Sequence, residues 1–180
     1  MAEIKSTLDL VMEKTKNLNL SNAEKQDQKN KEMESRLRGL VQKYQDEIIS
    51  LEKFRAGYQA LHKEFNLTET QNDQLIRVLC GRIELGKDNE ELLGLLSQFA
   101  DSDIEGITSV LQEFDTAIQT AAAAQAQIAK DKLASEHFIS GSAVLPNLES
   151  DPAWRQMAEE IQVQYSRLLE EEKAKISEGR

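Results

Sequence analysis

Residues 37–65 read LRGLVQKYQDEIISLEKFRAGYQALHKEF, and the spacing of their apolar side chains decides the fold. Large apolar and aromatic residues recur there at alternating steps of three and four: Leu37, Leu40, Tyr44, Leu51, Phe54, Tyr58, Leu61 and Phe65. Glu47 is the one exception, and Ile48 beside it supplies the missing bulk. A repeat of this kind, sustained over four heptads, is typical of a helix that packs along a coiled-coil seam.

The helix that carries this seam is predicted to begin well before it. Ser21 and Glu24 have the spacing of a capping box, in which each side chain satisfies an exposed amide at a helix start. Residues 21–32 contain Ala23 as their only apolar residue, which leaves two alternatives, a solvated first few turns or a flexible tether. We favour the helix and predict one long helix over 21–65.

A second seam of the same rhythm occurs in residues 102–128, SDIEGITSVLQEFDTAIQTAAAAQAQI. Its members again alternate at steps of three and four: Ile104, Ile107, Leu111, Phe114, Ile118, Ala121, Gln125 and Ile128. It predicts a second long helix over 102–139, whose Ala-rich run favours close approach of a partner helix. Because the two seams match, we expect the two long helices to form an antiparallel hairpin.

The remaining segments complete an all-α prediction. Residues 66–101 carry two short apolar helical patterns and form a helical head, residues 140–150 contain Gly141 and Pro146 and read as a loop, and Asp151-Pro152 opens a C-terminal helix over 151–180. The predicted fold is an elongated helical bundle in a single domain over 1–180, built on the long antiparallel hairpin.

Two glycines fall inside the first long helix, Gly39 and Gly57, where each costs roughly 1 kcal/mol relative to alanine. A hinge, a close helix contact or simple tolerance explains them equally well from sequence alone.

Charge and composition restrict the possible partners. The 180 residues carry a net charge of −10, and residues 66–150 hold 5 basic and 14 acidic side chains. Such a surface repels phosphate backbones and anionic lipid head groups, so we expect neither nucleic acid nor membrane as a partner. Glu3, Asp9 and Glu13 interrupt the start of the chain, and no apolar run reaches about 18 residues, so we expect a cytosolic protein.

Residues able to support catalysis or metal binding are few. His62 and His137 lack a carboxylate at the spacing that metal sites in bundles use, and Cys80 is the only cysteine. We therefore predict no metal site, no cofactor and no enzymatic activity. The least favoured alternative is an enzyme with a site in the helical head near Cys80, Arg77 and Arg82.

The N-terminal segment, residues 1–20, carries its own apolar stripe at helical spacing, formed by Ile4, Leu8, Val11 and Leu18. We name these four residues as the candidate partner-binding residues, on an arm that the polar stretch after it allows to move. The competing interpretation is ordinary packing of this stripe on the bundle.

Residues 2–15, AEIKSTLDLVMEKT, resemble the N-terminus of a family of small helical bacterial proteins of unknown function. The resemblance implies no activity. In architecture alone, long helices with a short-helix head also resemble bacterial export chaperones of the flagellar hook-filament type. The sequence thus favours a non-enzymatic helical protein-protein interaction module, an adaptor, scaffold or export-chaperone-like protein, with an unknown protein partner. A structural coiled-coil homo-oligomer is the alternative.

Overall fold

The computed structural model describes residues 22–65, 72–100 and 103–178, and within these ranges the chain is helical with no strands. The predicted all-α class is confirmed. The helices are α1 (Asn22–Gln45), α2 (Leu51–Phe65), α3 (Asn72–Cys80), α4 (Glu90–Phe99), α5 (Glu105–His137) and α6 (Pro152–Glu178), with a 3-10 turn at Leu148–Ser150.

The chain divides into two compact units, unit 1 over Met1–Thr68 and unit 2 over Glu69–Arg180. The expectation of a single domain over 1–180, and that of a hairpin between residues 21–65 and 102–138, stay predictions.

In unit 1 the predicted continuous helix over 21–65 is wrong, because the chain leaves the helical conformation at residues 46–50. The break coincides with the gap in the seam. Glu47 has φ +55°, a left-handed conformation that L residues other than Asn and Asp seldom adopt. A charged side chain at a seam position gains nothing from burial, so continuing the helix there offers no packing advantage.

Two backbone hydrogen bonds close α1 at this point. The amide of Ile48 donates to the Lys43 carbonyl at 2.9 Å, and the amide of Glu47 donates to the Tyr44 carbonyl at 3.0 Å. This pairing around a left-handed residue is the Schellman motif, which satisfies the last carbonyls of a helix. Ile48 is 66% exposed, so the prediction that it replaces Glu47 in the seam is also wrong.

After the break, α2 runs back along α1, so the seam residues face one another across a short hairpin. The contacts proceed in opposite chain directions: Arg36 with Glu64 at 2.7 Å, Leu40 with Gly57, and the Tyr44 and Phe54 rings with centroids 5.5 Å apart.

The first turns of α1 are helical and exposed from residue 23 to residue 32, with Lys31 and Asp27 paired at 2.7 Å. The prediction of a solvated helix over these residues is therefore confirmed. The buried apolar residues of unit 1 begin only after it: Met33, Leu37, Val41, Phe54 and Tyr58.

In unit 2, α5 spans most of the predicted helix 102–139, and its antiparallel partner there is α6. The Phe114 and Tyr165 rings lie 5.8 Å apart, and the Gln125 amide donates to the Asp151 carboxylate at 2.7 Å. Nearer the start of α5, a Cβ added to Gly106 would overlap the Glu172 carboxylate. The C-terminal helix, predicted to brace the bundle, thus packs on α5 at Phe114 and Gln125 of the seam, whereas Ile104 and Leu111 are half-buried and Ile128 is 59% exposed.

The predicted helical head corresponds to α3 and α4, which contribute most of the fully buried side chains of unit 2. The following lie below 2% exposure: Leu75, Leu79, Ile83, Leu92, Leu95 and Leu96. Between the two helices the chain turns at Gly86, whose φ of +68° suits glycine and whose Cβ position lies 3.6 Å from the Phe114 ring.

Gly39 and Gly57 offer a matched test of the unit 1 hairpin. A Cβ on Gly39 would meet nothing within 4 Å, whereas one on Gly57 would lie 2.9 Å from Leu40 Cδ1. We expect Gly39→Ala to raise the free energy of unfolding by about 0.5–1 kcal/mol through helix propensity. Gly57→Ala gains the same propensity but must shift the end of the Leu40 side chain, so it is expected to be less stable than G39A by up to about 1 kcal/mol in urea unfolding. Equal stabilisation by both substitutions would contradict the close contact.

Asp151 gives unit 2 a specific pH dependence. The hydrogen bond from Gln125, followed by that from the Ala153 amide, lowers the pKa of the Asp151 carboxyl. A lowered pKa means that the folded state binds fewer protons, so this stabilisation is present at neutral pH and is lost as pH falls through the folded pKa. We expect the difference in the free energy of unfolding between wild type and Asp151→Asn, measured by urea unfolding, to shrink as the pH is lowered from about 7 to about 3. A gap that does not change with pH would count against this coupling.

Candidate interaction surfaces

An open groove lies in unit 2 between α4, the loop before it and the first half of α5. Its volume is about 540 Å³, within the range of roughly 300–1,000 Å³ that ligand-binding clefts occupy. We call it the α4/α5 groove. Its α4 side is the helix face formed by Glu90, Leu93, Gly94 and Ser97.

The α5 side of the groove follows one face of that helix: Ile104, Thr108, Leu111, Gln112 and Asp115. Residues at steps of three and four lie on one helix face, so both sides are ridges that run along helices. Ile104, Leu111 and Leu93 are half-buried and give the groove an apolar lining.

The polar groups at the base of the groove already have partners within the chain. The Ser97 hydroxyl donates to the Gly94 carbonyl at 2.9 Å, and the Thr108 hydroxyl donates to the Ile104 carbonyl at 3.2 Å. Neither hydroxyl therefore offers a free O–H donor to a ligand in the groove.

Asn89, the most buried polar residue of the groove at 7% exposure, is engaged in the same way. Its amide oxygen accepts from the Glu84 N–H at 3.1 Å, while its amide nitrogen donates to the carbonyls of Glu84 at 2.8 Å and Lys87 at 2.9 Å. Asn89 thus fixes the loop that ends the groove.

Charge around the groove is predominantly negative. Asp88, Glu90 and Asp115 are exposed at its edges, against one cation, Lys87. Within the described ranges, none of the three carboxylates takes part in an ion pair.

Exposed apolar side chains also occur at the end of α5 and in the loop that follows it. Phe138 has φ +56° and is 90% exposed, and Leu145 and Ile139 are 86% and 50% exposed. We call these three residues the apolar tip. The Ile139 amide donates to the Leu133 carbonyl at 3.1 Å, so the turn is anchored to the last turns of α5.

The residues predicted to bind a partner, Ile4, Leu8, Val11 and Leu18, lie outside the described residues, and their role stays a prediction. Sequence reasoning missed both surfaces described above. The apolar tip has a detectable signal, since three large apolar residues flank a loop with Gly141 and Pro146.

The residues considered for catalysis or metal binding lie in both units, and the buried Nε2 of His62 has no hydrogen-bond partner among the described residues. Cys80 is 4% exposed at the end of α3, and burial raises the pKa of its thiol, which disfavours the reactive thiolate. Arg77 is exposed on the same helix. In unit 1, the His62 ring packs edge-to-face on Tyr58 with centroids 4.7 Å apart, and in unit 2 His137 is exposed in the last turn of α5.

No group of three or more His, Cys, Asp or Glu side chains in the described part of the chain is arranged to hold a metal ion. Among the helices of residues 22–65, 72–100 and 103–178, none combines the length and apolar character that crossing a bilayer requires.

In comparisons with known proteins, no protein family, curated protein or solved structure matches the chain. The resemblance of residues 2–15 to a family of small helical bacterial proteins stays a prediction.

Proposed function

We propose that this is a non-enzymatic cytosolic interaction protein, an adaptor or scaffold, that binds another protein through apolar side chains on unit 2. Its mode of action is helix-to-surface contact. An export-chaperone-like role is one form of this function, because such a protein also works by holding a partner.

The observation that carries the proposal is the apolar tip. Phe138 combines an exposed aromatic ring with a left-handed backbone, a conformation that costs an L residue roughly 1–2 kcal/mol. The left-handed backbone closes α5, whereas the exposed ring contributes no burial to the isolated fold. Strained residues concentrate at binding sites, and aromatic residues dominate the energetics of interfaces, so both features agree with a role in contact.

The position of the tip agrees with an adaptor. It follows α5, whereas the α4/α5 groove lies beside the first turns of the same helix. Asp115 and Phe138 are separated by 23 residues of chain, almost all of it helical, or about 34 Å at 1.5 Å per residue. Two surfaces so far apart on one rigid helix allow two contacts at once.

A homo-oligomer is the second candidate, and one observation favours it. Val163 on α6 and Ile128 on α5 are 58% and 59% exposed, which leaves apolar area for a second copy of the chain. Light scattering at two protein concentrations separates the candidates, since a monomer at both concentrations rules out assembly.

We expect one substitution in the apolar tip, Phe138→Asn, to keep or raise the stability of the protein while it weakens the binding of a partner. Phe138→Asn places a residue that tolerates the left-handed region, so we expect an unchanged or higher melting temperature, with up to about 1 kcal/mol gained. In affinity capture from the source cell, the same variant should retain a partner about 30-fold less well, as truncation of a hot-spot aromatic does.

Glu47→Asn is the matched control, because Glu47 has the same left-handed backbone in unit 1 without an apolar side chain. It should gain stability in the same way and capture partners as wild type does. A partner held equally by wild type and F138N, or no specific partner at all with wild type, would overturn the proposed function.

A further inference from the structure

We infer that the α4/α5 groove binds a basic amphipathic helix of a partner protein. The inference rests on the proposed function and adds the chemistry of the partner. Three properties of the groove lead to it: its shape, its satisfied polar groups and its charge.

The shape favours a helix. The groove is bounded by two helical ridges, one over residues 90–97 on α4 and the other over residues 104–115 at the start of α5. The longer ridge extends about 16 Å, or three helical turns. On the α4 ridge Gly94 is exposed, and a Cβ there would meet no described residue within 4 Å, so a partner backbone can approach α4 closely.

Gly94 also lacks an internal explanation. Glycine within a helix costs about 1 kcal/mol relative to alanine. Elsewhere in unit 2 the structure supplies the reason for a glycine: Gly86 has a positive φ, and Gly106 makes room for Glu172. At Gly94 no atom of the described residues lies within 4 Å of the Cβ position, so the space is open to a docked helix.

The polar groups determine which part of the partner faces inward. The O–H and N–H donors of Ser97, Thr108 and Asn89 are used within the chain, so an incoming carbonyl or carboxylate facing them would lose its water without replacement. Such desolvation is costly, and the half-buried Leu93 and Leu111 instead reward apolar contact. The inner face of the partner helix is therefore apolar.

The charge determines the flanks of that helix. Asp88, Glu90 and Asp115 border the groove without cationic partners among the described residues, and Lys87 offsets only one of them. Lysine or arginine beside the apolar face of the partner would complement this border, and an acidic helix would be repelled.

The probe is a synthetic helical peptide of about 14 residues, with leucines at helical spacing on one face and lysines on the flanks. The comparison peptide replaces every lysine by glutamate. Binding to the full-length protein is measured by fluorescence anisotropy at low and high salt. We expect the lysine peptide to bind, to weaken with salt, and to exceed the glutamate peptide by about tenfold or more.

Two pairs of variants locate the binding. Gly94→Leu fills the groove and should weaken binding about tenfold, whereas Gly39→Leu, at an equally open helical glycine in unit 1, should bind as wild type. The double variant Glu90→Gln/Asp115→Asn should weaken binding about threefold and flatten its salt dependence. Glu52→Gln/Glu136→Gln removes the same charge from exposed positions outside the groove and should have no effect.

Four outcomes would overturn the inference: equal binding of both peptides, unchanged binding to G94L, a self-association that G94L abolishes, or a tenfold gain in peptide affinity when residues 1–20 are deleted. The last two would assign the groove to a second copy or to the chain's own N-terminal segment. Affinity capture that depends on Phe138 tests the proposed function separately. If the lysine peptide fails to bind and this capture persists, the inference about the groove fails and the proposed function stands.

Discussion

The burial of the heptad seams within each unit is the constraint on which the rest of the structure depends. An apolar helix stripe has to meet another apolar surface, because leaving it in water forgoes about 25 cal/mol per Å². In unit 1, the interruption at Glu47 lets the stretch fold back on itself, so that Tyr44 meets Phe54 and Gly57 meets Leu40. The short α1/α2 hairpin meets this requirement by pairing neighbouring helices, and the hairpin predicted between residues 21–65 and 102–138 stays a prediction.

In unit 2, α5 and α6 meet the same requirement by packing against each other. The polar residue in the α5 seam, Gln125, helps to set the register of the two helices. Gln125, 9% exposed, reaches the Asp151 carboxylate that also accepts the first amides of α6. A buried amide with a single partner specifies alignment better than an apolar residue would, since any slip leaves it unpaired. The result is a rigid helix that carries an open groove at one end and exposed aromatic and aliphatic side chains at the other. This arrangement is the basis of the proposed contact with other proteins.

The sequence predicted the helical class, most of the length of α5 and the Asp151-Pro152 start of α6, because spacing and capping are local properties. It failed where a pattern had two physical meanings. A charged residue at a seam position, Glu47, is compatible with a continuous long helix and equally with the end of a helix. The sequence alone does not distinguish these two interpretations. Gly57 and Gly39 were indistinguishable until the structure placed Leu40 against one of them. The α4/α5 groove could not be predicted, since it depends on how far apart two helices lie. Ile4 and its stripe lie outside the described residues, so their role rests on sequence alone.

The distance between spin labels at Ser35→Cys and Lys63→Cys, in a Cys80→Ala background, tests the central claim most directly. Both positions are exposed, so the labels should leave the hairpin intact. The α1/α2 hairpin predicts a distance of about 20 Å or less, because packed helix axes lie roughly 10 Å apart. A continuous helix through Glu47 would separate the two positions by about 42 Å, and a distribution centred there would contradict the account.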